Sequence, residues 1–538
     1  MNRLQGSSGV VFAALSRLPR LSPPIWIAAL GLAAIVALFP GLWTLPALIA
    51  LLGCLLMLVK PEVAVYLLTL SVPLGSLLEI EGEEFSITPT EAIAGLLVVG
   101  WALRSLARRR VVIQFTPLSI PLALMLAIVA FSANHAESVA LTLKETLKWL
   151  ELIVVYLFIV AEMGSRRQIL ALLALLLTGA VIEALMGLAQ FALNLGPEYY
   201  AIGRFMRAYG TFEQPNPYAG YLGMLIPLAI GILLSRQTGW LRGYTLVALA
   251  LALMAVGVSL SRGAWVGIAL AVAAMSLFWS RRTRILLLAG SLLAAPLAAL
   301  AYLDLLPPEV VTRLATALDY FRFVDVSQEV VTPQNFAVIE RMAHWQAAIN
   351  MIAAHPLLGV GAGNYPAVYK WFALPEWTEP LGHAHNFYLN IAAETGLLGL
   401  LVYLSVVGIA LLHAMRWLIR EDALWARAGR ARPHRDLLWR GILVGVLGSL
   451  VASSVHNTFD SLFVHSMSVQ LGMILALAQL SAMAVAEPEA AGIPLSQRKG
   501  RDAAWRRTSN APRPPKSEAG WPPHTPASTS RCWGQPDS

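Results

Sequence analysis

Four short polar segments stand out in an otherwise apolar chain of 538 residues. They are RAYGTFEQPNPYAGYL (207–222), SLSRGAWVGI (259–268), ERMAHWQAA (340–348) and HAHNFYLNIAAETGLLG (383–399). The first three carry an arginine, and the fourth carries two histidines: Arg207, Arg262, Arg341, His383 and His385. Arginine binds phosphate oxygens through two parallel hydrogen bonds and keeps its charge. Imidazole takes up a proton near neutral pH. Together these residue types suit the transfer of a group from a phosphate-bearing donor.

Each segment alone also has an ordinary structural explanation. Arg207 can be a snorkelling arginine in an interhelical loop, and Arg262 can bind lipid headgroups at the membrane interface. Arg341 can belong to a surface helix, and His385 with Asn386 can simply begin a helix. The functional hypothesis therefore requires that segments far apart in sequence converge in one place.

Local sequence predicts the surroundings of two of the arginines. Arg262 precedes an apolar run, so we expect it at a helix N-terminus, where backbone N–H groups add to the positive field. Pro215 and Pro217 are expected to forbid a regular helix after Arg207, and Asn216 favours a turn there. Both settings leave room for an anion.

The pair His383 and His385 also suggests a metal site. No third ligand stands at a recognisable spacing, so the sequence predicts neither a metal nor a cofactor. Asp460 lies in the turn HNTFDSLFVH (456–465). We expect Asp460 to orient a histidine or to pair with an arginine, although a solvated turn residue is the alternative.

The composition indicates the class of protein that holds these segments. The chain is 57% hydrophobic and 13% charged, with a mean hydropathy of +0.65, whereas a soluble domain is about 25% charged. Continuous apolar runs fit membrane helices rather than the alternating strands of a β-barrel. The net charge of +8 follows the positive-inside rule better than it fits nucleic-acid binding. Cys54 and Cys532 are too few for a disulfide framework.

The prediction is an all-α, polytopic transmembrane helical bundle with a mostly helical extracytoplasmic insert. About 12–14 spans are expected, because the first two candidates, joined by Pro40-Gly41, can form a hairpin. Gly396 and Gly399 share a helix face and are expected to admit a close neighbour. The fourteen candidate spans are 25–39, 42–59, 62–78, 90–107, 117–133, 146–163, 168–195, 218–235, 242–260, 263–280, 284–303, 386–415, 437–456 and 464–485.

Arginine-rich loops alternate with the spans in a way that predicts the orientation. With a cytoplasmic N-terminus, every basic cluster falls on the inner side, whereas Arg207, Arg262 and Arg341 lie on the outer side against the rule. The expected organisation has five parts: a cytoplasmic N-terminus (1–24), eleven candidate spans (25–303), an extracytoplasmic insert (304–385), C-terminal spans (386–485) and a disordered cytoplasmic tail (486–538).

The chemistry that fits an outer cluster of arginines and a histidine is transfer from a lipid-linked diphosphate donor. The arginines would hold the leaving diphosphate, and the histidine would deprotonate an acceptor hydroxyl. The sequence has neither GxxxxGK[ST] nor GxGxxG, the common nucleotide-binding signatures. A small-anion transporter is an alternative of another class, but it would place ionisable groups near the bilayer midplane. A non-catalytic lipid-binding protein is a third.

The segments resemble the O-antigen ligase / Wzy polymerase family of bacterial membrane glycosyltransferases. His385-Asn386, nine residues and Gly396-Leu397-Leu398-Gly399 match the ligase pattern HN-x9-GxxG. RAYGTFEQPNPYAGYL, SLSRGAWVG and ERMAHWQAA followed by HPLLGVGAGNY are similar to three further stretches of the family. The resemblance spans about residues 60–485, but the usual twelve spans are fewer than the fourteen candidates, and the basic tail lies outside the pattern.

The resemblance implies a function and roles. The donor would be an undecaprenyl-diphosphate-linked glycan, and the acceptor of a ligase would be lipid A-core in lipopolysaccharide biosynthesis. Transfer would invert the anomeric carbon without a metal, at the periplasmic side of the bacterial inner membrane. His385 would be the base, and Arg207, Arg262 and Arg341 would bind the diphosphate. Asn216, His383, Asn386 and Asp460 are supporting candidates. Polymerases and protein O-oligosaccharyltransferases use the same donor and remain alternatives; membrane lipids are expected partners.

Overall fold

Fifteen α-helices lie in the part of the chain that the computed structural model describes, which is residues 44–78, 80–81, 86–202, 205–237, 239–292, 326, 329–332, 335–428 and 437–486. They are α1 (Thr44–Val59), α2 (Glu62–Leu74), α3 (Pro89–Ala107), α4 (Ser119–Phe131), α5 (Val139–Glu162), α6 (Arg166–Ala192), α7 (Pro215–Leu234), α8 (Trp240–Ser259), α9 (Arg262–Trp279), α10 (Arg281–Leu292), α11 (Phe336–Ala354), α12 (Tyr365–Phe372), α13 (Phe387–Ala428), α14 (Leu437–His456) and α15 (Met467–Ala486). Two short antiparallel pairs join β1 (Ile80–Glu81) to β2 (Ser86–Ile87) and β3 (Ala201–Ile202) to β4 (Phe205–Met206).

The helical membrane class is confirmed. Eight of the described helices are long and apolar enough to cross a membrane: α3, α6, α7, α8, α9, α13, α14 and α15. Shorter apolar helices cover 46–59, 62–77 and 119–134. The predicted first span (25–39), the end of the eleventh (293–303), the N-terminus (1–24), most of the first third of the insert and the tail beyond 486 lie outside the described residues.

Three helices form the centre of the bundle. In α7, α14 and α15, 83% of the most apolar window is buried by protein, against 22% in α3 and α9. A helix that is apolar on every side can be buried all round. Glycines let α7 and α14 approach closely, since a Cβ on Gly231 would collide with the Gly441 carbonyl. The central helices are thus fixed backbone to backbone.

Helix α7 corrects one expectation from the sequence. Pro215 and Pro217 were expected to forbid a regular helix, yet α7 begins at Pro215 and continues to Leu234. The prediction was wrong because both prolines fall in the first turn, where the missing N–H has no intrahelical partner to lose. Consequently Asn216 lies in the first turn of a helix.

A sharp kink divides α13 at Gly396, where φ is +70° and ψ is −178°. The kink frees carbonyl groups, and the insert segment 356–361 binds there. The N–H groups of Val360 and Gly361 donate to the carbonyls of Ala393 (2.9 Å) and Glu394 (2.9 Å). A Cβ on Gly396 would collide with the carbonyl of the neighbouring segment, which confirms the predicted close approach.

Gly399 behaves differently from Gly396. A Cβ on Gly399 would meet the side chain of Thr395 in the same helix, and no other segment lies among its nearest atoms. The expectation that both glycines admit one neighbouring element was therefore wrong for Gly399. The reason is the kink, which breaks the regular three-residue spacing on which a shared face depends.

Helix ends that the predicted topology assigns to one side of the membrane contact each other. Arg108 at the end of α3 pairs with Glu162 at the end of α5 (2.9 Å). Arg166 at the start of α6 donates to Gln237 beyond the end of α7 (2.9 Å). These contacts agree with the predicted alternation of the spans. Arg207, Arg262 and His385 lie near the helix ends opposite to these contacts.

Candidate functional site

The fourth polar segment enters α13 through a side-chain cap. The Asn386 side-chain oxygen accepts hydrogen bonds from the N–H groups of Tyr388 and Leu389, each at 3.1 Å. These donors have no partner within the helix, and asparagine is among the preferred residues for this position. The geometry of Asn386 therefore supports the structural alternative, a helix cap.

His385 precedes this cap in a constrained conformation. Its φ is +48°, in the left-handed region that few residues other than glycine adopt. The Trp345 indole donates to the His385 carbonyl (3.4 Å), and the Phe387 N–H donates to the Asn457 carbonyl (2.9 Å). Backbone strain of this kind persists where the surroundings hold the residue firmly. The imidazole is thus held beside the turn that follows α14.

Asp460, in that turn, binds the imidazole. Nδ1 of His385 lies 3.2 Å from Oδ1 of Asp460. The same oxygen accepts the Ser461 N–H (2.8 Å), while Oδ2 accepts the Asn216 amide (2.7 Å). The side chain is almost completely buried, with 1% of the residue exposed. Both carboxylate oxygens are therefore occupied by protein donors.

The charge of Asp460 follows from these contacts. Burial alone would raise the pKa of the Asp460 carboxyl, but the hydrogen bond from His385 and the positive charge of Arg341 lower the pKa well below its usual range. Asp460 is consequently an ionised acceptor at neutral pH. Nδ1 of His385 must then carry a proton, so in the neutral imidazole Nε2 carries the lone pair. This is the tautomer that a general base requires.

Arg207 connects two further segments to this pair. Its Nε donates to the Ser259 carbonyl (2.8 Å), and its Nη2 donates to Oδ1 of Asn216 (3.1 Å). Since the Asn216 amide donates onward to Asp460, a continuous hydrogen-bonded path runs from the end of α8 through Arg207 to the carboxylate. The first and second polar segments therefore meet at His385.

Arg262 begins α9, as the sequence predicts. The chain reverses just before it, where Leu260 adopts φ +54°. Nε2 of His456, at the end of α14, lies 3.3 Å from the Ser261 hydroxyl, and Gly263 packs directly against the same imidazole. The N-terminus of α9, with its first N–H groups and Arg262, thus abuts the turn that carries Asp460.

The third segment approaches His385 from the insert. Arg341 and Trp345 lie one turn apart on α11, and between them His344 has its ring centroid 5.8 Å from that of His385. Burial is the main cause that lowers the pKa of His344 to about 3 and that of His383 to about 4. Both imidazoles are therefore neutral at pH 7.

The four polar segments and the Asp460 turn converge, so the predicted site residues fall in one region. Asn386 lies there too, as the cap of α13. His383, His385 and Asp460 also form a group of potential metal ligands, whose ligand atoms lie within 4.8 Å of one another. Asp460 is the third ligand that sequence spacing did not reveal. However, both of its oxygens already accept protein hydrogen bonds, and the positive charge of Arg341 would oppose a cation.

Sequence reasoning missed polar residues deeper in α13. Asn390 accepts the Ala384 N–H (3.0 Å) and so supports the histidine loop, and Glu394 accepts the Tyr365 N–H (3.3 Å). The available signal was their spacing, because Asn386, Asn390 and Glu394 recur every fourth residue and form one polar stripe on an apolar helix.

Comparison with known proteins supports the resemblance found in the sequence. Residues 247–404 match the model of the O-antigen ligase family, Wzy_C. The matched region contains the second, third and fourth polar segments, while the first segment and the Asp460 turn lie outside it. A comparison with curated proteins finds no match. Over residues 247–404 the chain is therefore similar to the O-antigen ligase family, within a multi-pass helical membrane protein.

Proposed function

We propose that this chain, which matches the O-antigen ligase family over residues 247–404, transfers a glycan from an undecaprenyl diphosphate carrier to a hydroxyl of lipid A-core. The reaction takes place at the periplasmic face of the bacterial inner membrane. The observation that carries the proposal is the pair formed by His385 and ionised Asp460, 3.2 Å apart, where three arginine-bearing segments converge.

His385 acts as the general base. Its Nε2 takes the proton of the attacking hydroxyl, while Nδ1 remains hydrogen-bonded to Asp460 (3.2 Å). The carboxylate selects the tautomer and stabilises the imidazolium that forms. An aspartate has the same effect on the histidine of a Ser-His-Asp triad. Asp460 is therefore a positioning residue, and Asn216 in turn fixes the carboxylate.

The arginines act on the leaving group. As the acceptor oxygen attacks the anomeric carbon, the bond between that carbon and the diphosphate oxygen breaks, and undecaprenyl diphosphate leaves with the electron pair. Attack opposite to the leaving group inverts the anomeric carbon. Arg207, Arg262 and Arg341 would bind the diphosphate oxygens, and the N-terminus of α9 adds N–H donors. No metal takes part in this scheme.

The decisive experiment supplies purified, reconstituted protein with an undecaprenyl-diphosphate-linked glycan and one of three acceptors. These are lipid A-core, a second lipid-linked glycan and a protein. We expect glycosylated lipid A-core. Product on the second lipid-linked glycan would indicate a polymerase, and product on the protein would indicate an oligosaccharyltransferase. No product with any acceptor, together with uptake of a small anion by the same vesicles, would remove the proposal in favour of a transporter.

His385→Ala tests the role of the base. We expect loss of transfer by at least about a hundredfold, with unchanged protein level and unchanged binding of the donor. The matched control is His355→Ala, which removes an exposed imidazole of the insert outside the cluster. Undiminished product from His385→Ala would remove His385 from the mechanism.

A further inference from the structure

A cavity of about 170 Å³ lies beside His383, and the proposed chemistry does not use it. Helices α4, α5, α13 and α15 form its walls. The insert backbone at Ala362 and Gly363 and the loop after Asp460 complete the lining. The cavity therefore occupies the same end of the bundle as the candidate site.

Several polar side chains line the cavity, although the helices around it are apolar. Glu145 and Lys148 on α5 form an ion pair, and Asn390 and Glu394 on α13 face the same space. Burying charged groups is unfavourable unless each finds a partner. Carboxylates accept hydrogen bonds, an ammonium group donates them and an amide does both. Such a lining matches a ligand with several hydroxyl groups.

Two hydroxyls point to a ligand independently of the charged groups. Ser461 and Ser468 both line the cavity, and only 6% and 8% of these residues is exposed. Neither side-chain oxygen has a hydrogen-bond partner among the described residues. Buried hydroxyls without a partner are uncommon in folded proteins, because losing water without replacement is costly. Both oxygens are shielded from the cavity surface, so each hydroxyl would have to rotate toward a bound polar molecule to gain a partner.

The remaining wall is apolar and includes three aromatic rings. Trp149, Phe387 and Phe463 line the cavity, and the two phenylalanine rings meet edge to face with centroids 4.9 Å apart. A cavity of roughly 150 Å³ holds a ring the size of benzene, whereas drug-sized ligands need about 300 Å³ or more. One six-membered ring with an apolar face and a hydroxylated edge therefore fits the space.

The cavity adjoins the proposed base. His383 lines it, and the ring centroids of His383 and His385 are 4.4 Å apart. A ring held here would bring its outermost hydroxyl next to the two imidazoles. Two carboxyl groups face a single ammonium group and no arginine lines the cavity, so this space disfavours a diphosphate. The diphosphate of the donor would thus bind at the arginines, and the uncharged acceptor would bind in the cavity on the other side of His383 and His385.

We infer that the cavity is the acceptor subsite and binds one uncharged, hexose-sized sugar ring through Glu145, Lys148, Glu394, Ser461 and Ser468. This inference rests on the proposed function. It identifies the sugar that bears the attacked hydroxyl as the recognised part of the acceptor. The aromatic wall contacts the apolar face of the ring, and the polar residues bind its hydroxyl groups.

The test measures initial rates of transfer to lipid A-core with the double variant Ser461→Ala/Ser468→Ala. Loss of two neutral hydrogen bonds is expected to raise the KM for lipid A-core about tenfold. The KM for the donor and kcat at saturating acceptor should stay within about twofold. Ser481→Ala is the matched control, since Ser481 also lies on α15 with a buried hydroxyl that has no partner among the described residues, but it does not line the cavity.

A second variant, Ser468→Leu, fills the cavity. It should abolish transfer to lipid A-core while radiolabelled donor still binds. If wild-type protein glycosylates lipid A-core and the double variant leaves the acceptor KM unchanged, or raises the donor KM instead, the subsite is refuted and the proposed function stands. If wild-type protein glycosylates none of the three acceptors, the proposed function fails, and the inference fails with it.

Discussion

The Asp460 carboxylate receives hydrogen bonds from three segments, and this decides which nitrogen of His385 is available for chemistry. Asn216, Ser461 and His385 are its donors, at distances from 2.7 to 3.2 Å. Because both oxygens accept hydrogen bonds from protein, the carboxylate cannot rotate away from the imidazole without losing a hydrogen bond. Orientation of the base is thus a property of the network and not of His385 alone.

Arg262→Lys tests whether the charge at the start of α9 is sufficient. Lysine keeps the positive charge but cannot form two parallel hydrogen bonds to phosphate oxygens. We expect kcat/KM for the donor to fall by about tenfold or more. Arg242→Lys, an exposed arginine on the preceding helix α8, serves as the control. Normal turnover by Arg262→Lys would contradict bidentate binding of the diphosphate.

Chelation tests the group formed by His383, His385 and Asp460, whose ligand atoms lie within 4.8 Å. We expect transfer activity to survive prolonged treatment with EDTA or 1,10-phenanthroline, because Asp460 is already occupied by protein donors. Activity is measured after removal of the chelator by dialysis against metal-free buffer. Loss of activity that returns on addition of Zn²⁺ would reassign these residues to a metal site.

At the scale of the elements, helix termini and breaks bring the side chains together. Helix α9 begins at Arg262, α13 begins after its Asn386 cap, and α7 begins at two prolines that orient Asn216. The kink at Gly396 lets the insert bind to α13 through backbone hydrogen bonds. This attachment positions α11, and with it Arg341.

Gly396→Ala should destabilise the protein through this element. A Cβ at φ +70° is strained and would collide with the Leu357 carbonyl. Strain at one such residue costs about 1–3 kcal/mol, so we expect the apparent midpoint of thermal unfolding in detergent to fall by several degrees. The matched control is Gly408→Ala on the same helix, where a Cβ would meet nothing within 4 Å. An unchanged midpoint for Gly396→Ala would show that the kink is not required.

Helix α5 illustrates the limits of apolar patterning. The sequence predicts a span from 146, but the helix begins at Val139. Charged residues precede the apolar run, so the predicted span begins several residues after the true start of the helix. Glu145 and Lys148 are nevertheless accommodated, because they lie one turn apart and pair with each other. The additional residues at the start of the helix include Glu145, which pairs with Lys148 at the cavity beside His383.

On the scale of the whole molecule, the orientation in the membrane decides whether the site can meet a periplasmic substrate. The contacts of Arg108 with Glu162 and of Arg166 with Gln237 gather basic loops at one end of the bundle. The converging polar segments lie at the other end. By the positive-inside rule we expect the basic end to be cytoplasmic.

Cysteine labelling checks this orientation. In a Cys54→Ser/Cys532→Ser background, we expect His355→Cys to react with a membrane-impermeant maleimide in intact spheroplasts. Arg110→Cys should react only after permeabilisation. Both positions are exposed on the protein surface, so accessibility depends on the side of the membrane. The reverse labelling pattern would invert the topology and remove the periplasmic site.

The sequence by itself determined the helical membrane class, most helix positions and the residue types of the site. Lipid offers no hydrogen-bond partners, so a spanning segment must pair its own backbone N–H and C=O groups. Long apolar runs therefore form helices. The start of α13 was predictable for a similar reason, since the Asn386 cap depends on neighbours within one turn. The prolines of α7 misled only because their effect depends on their position within a helix.

Only the tertiary structure decided which side chains meet. Asn216 and Asp460 are 244 positions apart, and His385 and Asp460 are 75 apart. A hydrophobic pattern records the period of each helix but not the distance between two of them, so no local signal could reveal these contacts. The orientation of His385 and the cavity beside His383 exist because packing of α5, α7, α13 and α14 brings separate polar groups within hydrogen-bonding reach.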